Sequence, residues 1–171
     1  MTGRRWHAAV LPLLLSAVLG GCGTAEPQLP PVPGIADARD ASAVAPCALL
    51  TPGQLAAAGF GGTGTPVRAQ EGPSCRWSSG AGELDLTLYT DGGGLATLAG
   101  NSEPTTTRVR LSGYPALETF TGRGEFCQYD VGVAERQVVI ATLDAPVPGS
   151  CAVLQQLVPQ VVDNLPAGAG R

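Results

Sequence analysis

Cysteine placement constrains this chain more than any other feature. Cys22 follows directly on an uncharged apolar run, whereas Cys47, Cys75, Cys127 and Cys151 are spread through the remainder. The run, residues 8–20, carries Leu11, Leu13, Leu14, Leu15, Val18 and Leu19 behind Arg4 and Arg5. As a helix it would be ~20 Å long, short of the ~30 Å hydrocarbon core of a bilayer. Residues 1–21 therefore read as a signal peptide and not as a membrane span. In an exported chain the four later cysteines are an even set, which predicts two disulfides. Three pairings are possible, and chain entropy assigns about 3.5 kcal/mol to each local bridge and about 4.8 to the longest one. Entropy thus gives no support to a local pairing. Chain layout does favour Cys47 with Cys75 and Cys127 with Cys151, because each pair joins a strand to the edge of the nearest helix in sequence. A metal site is the rival reading, but the cysteines lack a CxxC spacing and a partner histidine.

Leu19, Gly20 and Gly21 immediately before Cys22 resemble a bacterial lipobox, with leucine at −3 and small residues at −2 and −1. By that resemblance, the signal is cut before Cys22 and its sulfur carries acyl chains of the palmitate type. Two or three chains suffice for stable anchoring, at ~0.8 kcal/mol per buried CH₂. The expected location is the outer face of the cell membrane, with the export route open between the general secretory and twin-arginine systems.

With Cys22 as first residue the chain would keep 150 residues, enough for one domain with a real core. It would carry eight arginines against fourteen acidic residues, a formal charge of −6, and no lysine. That balance argues against nucleic acid and against polybasic attachment to anionic lipid. Membrane contact is expected through lipid alone. Residues 23–46 hold five prolines and few apolar groups, with no helical or strand period. Residues 22–46 accordingly read as a lipidated cysteine and disordered tether, spanning ~27 Å as a coil. Residues 47–166 form the expected domain, and residues 167–171 a disordered tail.

Within that domain, Thr51, Pro52 and Gln54 have the chemistry of a helix start: an N-cap, a proline at the first turn and a residue that closes a capping box. Leu50 and Leu55 can staple across it, and Gly59 suits the stop. SCRWSS around Cys75 and Trp77 reads as a strand. ELDLTLY alternates strictly, with Leu84, Leu86 and Leu88 inward and Glu83, Asp85, Thr87 and Tyr89 outward. Residues 91–101 can form only a short helix weakened by glycine, and the glycines of DGGGL read as a flexible turn. TTRVRL, ALETF, EFCQYDVGV and RQVVIATL read as four further strands. Leu154, Leu157, Val158, Val161 and Leu165 recur at helical spacing behind Ser150, a candidate cap, and Pro159 should kink or split that helix. The fold class is α+β: an antiparallel sheet of five to seven strands, two disulfides, and an N-terminal and a C-terminal helix packed on one face.

The series PCALLTP, CRW, YPALE and FCQYDVGV, followed by a hydrophobic strand and by Cys151 opening a helix that ends NLP, is similar to an actinobacterial lipoprotein family. That family is the one of domain of unknown function 3558. The similarity runs from about Cys47 to Pro166, with the four-cysteine frame as its most specific part. It implies a lipid-anchored domain of the cell envelope and brings no catalytic residues to carry over. The chain departs from the pattern at GSC, where an acidic residue is expected beside the cysteine.

His7, the only histidine, lies in the signal segment. Its loss removes the usual serine triad, a Cys–His pair, a histidine-ligated metal and the commonest general base. Absence of lysine removes Schiff-base chemistry and the phosphate-binding P-loop. Paired carboxylates among Glu83, Asp85, Glu118, Glu125 and Asp130 could still hydrolyse a glycoside. Glu83 and Asp85, however, alternate with leucines as solvated positions do. A non-enzymatic binding or interaction module is therefore expected, with no catalytic residue, cofactor or metal. An envelope protein is its expected partner; a small apolar molecule carried between sheet and helices is the alternative.

Overall fold

A computed structural model describes residues 33–168 apart from Ala43, Pro104 and Gly124. Cys22, the signal segment and the start of the tether lie outside the described residues. Three helices, α1 (Pro52–Ala57), α2 (Gly94–Gly100) and α3 (Ser150–Asn164), accompany seven strands. These are β1 (Thr65–Arg68), β2 (Pro73–Ser79), β3 (Gly82–Tyr89), β4 (Thr106–Leu111), β5 (Tyr114–Thr121), β6 (Phe126–Ala134) and β7 (Gln137–Asp144). They form one antiparallel sheet in the order β1-β2-β3-β7-β6-β5-β4. Two meanders meet where β3 pairs with β7; the chain between them, which contains α2, crosses to the far edge.

Strand alternation decides which side chains meet. Trp77, Leu84, Leu86, Leu88, Val131, Val133, Val139, Ala141 and Leu143 share one face and one buried cluster with Leu55 of α1 and with Leu154, Leu157, Val158, Val161 and Val162 of α3. The opposite parity holds Leu117, Val138 and Ile140, which cluster with Leu95 and Ala99 of α2. The expectation of helices on one face is thus incomplete: α2 lies against the other. Its start needs glycine, since Gly94 has φ +68° and a Cβ there would stand 2.1 Å from the Glu135 carbonyl oxygen. DGGGL is a docking point for α2 against the β6–β7 hairpin and not a flexible turn.

Thr51 Oγ1 accepts from the Gln54 amide at 3.3 Å, and Gln54 Oε1 accepts from the Thr51 amide at 2.8 Å, closing the capping box. Leu50 and Leu55 are both buried beside it. Gly149, at φ +127°, and not Ser150 is the N-cap of α3; the Ser150 hydroxyl donates to the Glu125 carbonyl. Pro159 sits inside α3, which remains one helix. β1 has no counterpart in the sequence pattern, because four residues with a proline at an edge carry no readable alternation.

Cys47 is bonded to Cys75, and Cys127 to Cys151. Gly64 lies so close to the first bridge that an added Cβ would be 2.2 Å from Cys75 Sγ and 2.6 Å from Trp77 Cε2. Both of those residues are almost fully buried. Gly64→Ala is therefore expected to lower the unfolding free energy by about 1–3 kcal/mol through overpacking. Urea unfolding of the two proteins checks this, and a loss below about 0.5 kcal/mol would show that the glycine backbone moves aside freely.

The assignment of residues 22–46 to a disordered tether is too long at its described end. The Arg39 amide donates to Val133 O at 2.8 Å, the Asp40 amide to Pro166 O at 2.9 Å, and the Ala41 amide to Gln137 Oε1 at 2.6 Å. Tyr114 Oη donates to Asp37 O at 2.6 Å, and Ala41 is 1% exposed. Backbone hydrogen bonds to distant strands order this strap without any apolar period. Ala167, assigned to the tail, bridges to Arg39, and the Gly168 amide donates to Ala38 O.

Candidate functional site

The face of the sheet opposite α1 and α3 is polar wherever α2 does not cover it. Register places Ser74 and Arg76 of β2, Asp85 and Thr87 of β3, Ile140 and Thr142 of β7, and Gln128 and Asp130 of β6 on that face. The β1–β2 turn forms one wall and Leu98 of α2 another, leaving a groove of about 490 Å³. Val67 and Glu71 contribute from the turn side.

Side chains on the groove pair in separate groups. Thr87 Oγ1 donates to Ser74 Oγ at 2.9 Å, and Ser74 Oγ donates to the Leu86 carbonyl at 3.1 Å. Arg76 holds Asp85 through two bonds of 2.8 Å and reaches Glu83 at 3.1 Å. That fork holds the Arg76 guanidinium above its ordinary pKa, with Asp85 as the main cause. Asp130 differs from its neighbours. It is 6% exposed, and its Oδ1 accepts from Gln128 Nε2 at 2.7 Å. Among the described residues the ion pairs belong to Arg76, so no cation sits within 4 Å of the Asp130 carboxylate. Burial pushes Asp130 up to about 6, with the charge of Glu71 adding to the rise and the Gln128 bond opposing it.

Of the carboxylates singled out from sequence, only Glu83 and Asp85 come together. Glu83 and Asp85 lie together on Arg76, and Asp130 is on the same face but two strands away. Strand spacing and register put the Asp85 and Asp130 Cα atoms roughly 12 Å apart. Arg76 also draws Asp85 toward β2, away from β6. Glu118 faces the opposite side, where its Oε1 accepts from Tyr129 Oη at 2.7 Å. Tyr129 is pushed up to about 12, by burial first and by Glu118 second, while Gln155 donates to its hydroxyl. Glu125 caps its own turn by accepting from the Arg123 amide. Glu83 and Asp85 thus share one guanidinium, while Glu118, Glu125 and Asp130 are held by other partners.

Glu118, Cys127 and Cys151 do bring their ligand atoms within 4.8 Å of one another. Both sulfurs are already bonded to each other, which leaves one carboxylate and no metal-binding set. The four cysteines therefore stand where the sequence put them, as two bridges. Burial of Asp130 was not legible: its strand reads Gln128, Asp130, Gly132 on the polar side, and nothing local shows that α2 and the β1–β2 turn will wall it in. The one available signal was the glycine-rich segment after β3, long enough to fold over that face.

No helix among the described residues is long and apolar enough to cross a membrane. No match was found among curated proteins or among solved structures. A family match does extend over residues 17–164, most of the chain and all seven strands, and with it the chain belongs to the family described as Protein of unknown function (DUF3558).

Proposed function

We propose that the chain is a lipoprotein of the cell envelope, anchored to the outer face of the cell membrane through acyl chains on Cys22. Its domain is a non-enzymatic binding module that engages a partner with the polar sheet face. One observation carries the second part: one face of the sheet is filled by helices, while the other keeps an open groove lined by hydrogen-bonding side chains. The first part is supported by the residues themselves, and the family match begins at residue 17 and so takes in Leu19 to Cys22. Carriage of an apolar ligand has less support. Such a carrier needs an apolar-lined cavity, whereas this groove is lined by Arg76, Asp85, Gln128 and Asp130.

Cys22→Ala should abolish acyl labelling and release the protein from membranes, because each lost CH₂ removes ~0.8 kcal/mol of insertion. Metabolic labelling with a palmitate analogue and membrane fractionation read both effects. Equal membrane retention without label would overturn the anchor. For the groove, a photoreactive residue in place of Thr87 should crosslink a partner in intact envelopes. The same probe at Val147, which is 63% exposed and away from the groove, should not. Equal yields from both positions would remove the groove from the account.

A further inference from the structure

We propose that the groove beside α2 binds a small polar molecule through one ammonium group, which sits on the free side of the Asp130 carboxylate. The inference rests on the groove being a binding surface, and it names the chemistry of the ligand.

The argument begins with charge that has no partner. Two cations border the groove, Arg76 and Arg68; both hydrogen bonds of Arg76 go to Asp85, with a further contact to Glu83. Arg68 pairs with Pro73, and so its side chain starts from the opposite parity to Val67 and Ser74. Asp130 is left with one neutral amide, from Gln128. A carboxylate more than nine-tenths buried normally has a cation or several donors around it. Here the missing donor side is the groove itself, which Asp130 lines. Glu71 also lines the groove and adds negative charge there. An anion or a neutral apolar ligand would leave this pair of carboxylates worse off, whereas an ammonium would satisfy it.

The surrounding groups limit what carries the ammonium. Ser74, Thr87 and Thr142 present hydroxyls, and Ile140 gives an apolar patch at the floor. A volume of about 490 Å³ suits a sugar-sized ring or a single side chain, not a folded surface. Two sources share this chemistry: an amino sugar, or a lysine-type side chain presented by a peptide.

The charged groups on this side of the sheet around Asp130 are Arg68 and Glu71 from β1 and the β1–β2 turn, Arg76 from β2, Glu83 and Asp85 from β3, and Arg108 from β4 across Leu117. Helix α2, with sequence GLATLAG, brings none. Asp130 is thus the group whose charge changes near pH 6. Ammonium binding should weaken as pH falls through that value and the carboxyl gains a proton.

Backbone amide NMR of the lipid-free domain, titrated at pH 7 with glucosamine, glucose and Nα-acetyl-lysine methylamide, tests the inference. At least one of the two amines should give saturable shifts at Ser74, Thr87 and Gln128, and glucose should give none. Asp130→Asn, which keeps the shape of the side chain, should weaken amine binding by at least about tenfold. Glu71→Gln, a turn position that cannot disturb the core, should weaken it by a smaller factor. Glucosamine alone would identify the amino sugar as the source, and the lysine derivative alone would identify the peptide side chain. Equal shifts from glucose and glucosamine, undiminished binding to Asp130→Asn, or no saturable shift from either amine would each overturn the proposal. Should the amines fail while crosslinking from Thr87 still recovers a partner, the ammonium falls and the binding surface stands. If crosslinking fails as well, both fall.

Discussion

Replacing Cys127 and Cys151 together by alanine should lower the unfolding free energy by about 3–5 kcal/mol, of which loop closure across 24 residues accounts for about 3.5. The bridge joins the start of β6, an interior strand, to the first turn of α3. That helix supplies Leu154, Leu157, Val158, Val161 and Val162 to the main cluster, so its docking holds much of the core in place. Cys127 is itself fully buried, and loss of its sulfur leaves a small void under the helix start. Against a typical total of about 5–15 kcal/mol, the change is large enough to leave a measurable unfolded population. Equilibrium unfolding in urea, with the Cys47–Cys75 bridge intact in both proteins, gives the difference directly. A loss below about 1 kcal/mol would mean that α3 is held by packing alone and that the bridge adds little.

What the sequence made readable was whatever is encoded within a few residues. Thr51 and Gln54 announce the start of α1 because a capping box is a local exchange of hydrogen bonds, and it is present as read. Leu84, Leu86 and Leu88 announce a half-buried strand because a pleat sorts neighbours to opposite faces. The bridges followed from where the cysteines fall relative to those elements. Features that depend on distant partners stayed hidden. The strap that includes Arg39 to Ala41 is ordered by Val133, Pro166 and Gln137, nearly a hundred residues or more away in each case. Ser150 looked like a cap, yet its hydroxyl is taken by the carbonyl of Glu125. The groove was hidden for the same reason. Asp130 has the sequence neighbourhood of a solvated strand residue, and it is buried in a groove bordered by the β1–β2 turn and by Leu98 of α2.

That removal from water sets a second large expectation, in the pH dependence of stability. Asp130 titrates at about 6 in the fold and near 3.8 as a free side chain, and burial is the main cause. The folded state therefore holds its proton more tightly than the unfolded chain does. Below about pH 4 both states are protonated and the group costs nothing. As pH rises from about 4 to 6 the unfolded chain ionises first, and stability falls; above about 6 the loss levels off at ~3 kcal/mol, the linkage free energy between those two values. Asp130→Asn removes the charge while its carbonyl oxygen can still accept from Gln128. The variant should match the parent at pH 3.5 and exceed it by about 2–3 kcal/mol at pH 7. Asp40 works in the opposite sense, its carboxyl held below the ordinary value by the hydroxyl and amide of Ser42, but it is present in both proteins and cancels in the difference. Thermal or urea unfolding of the pair at intervals between pH 3.5 and 8 measures the curve. A difference independent of pH would show that Asp130 stays solvated, and a variant less stable than the parent at pH 7 would show that its charge already has a partner. An ammonium ligand should close the gap from the other side, stabilising the parent at pH 7 and leaving Asp130→Asn almost unmoved, because linkage rewards only the state that binds.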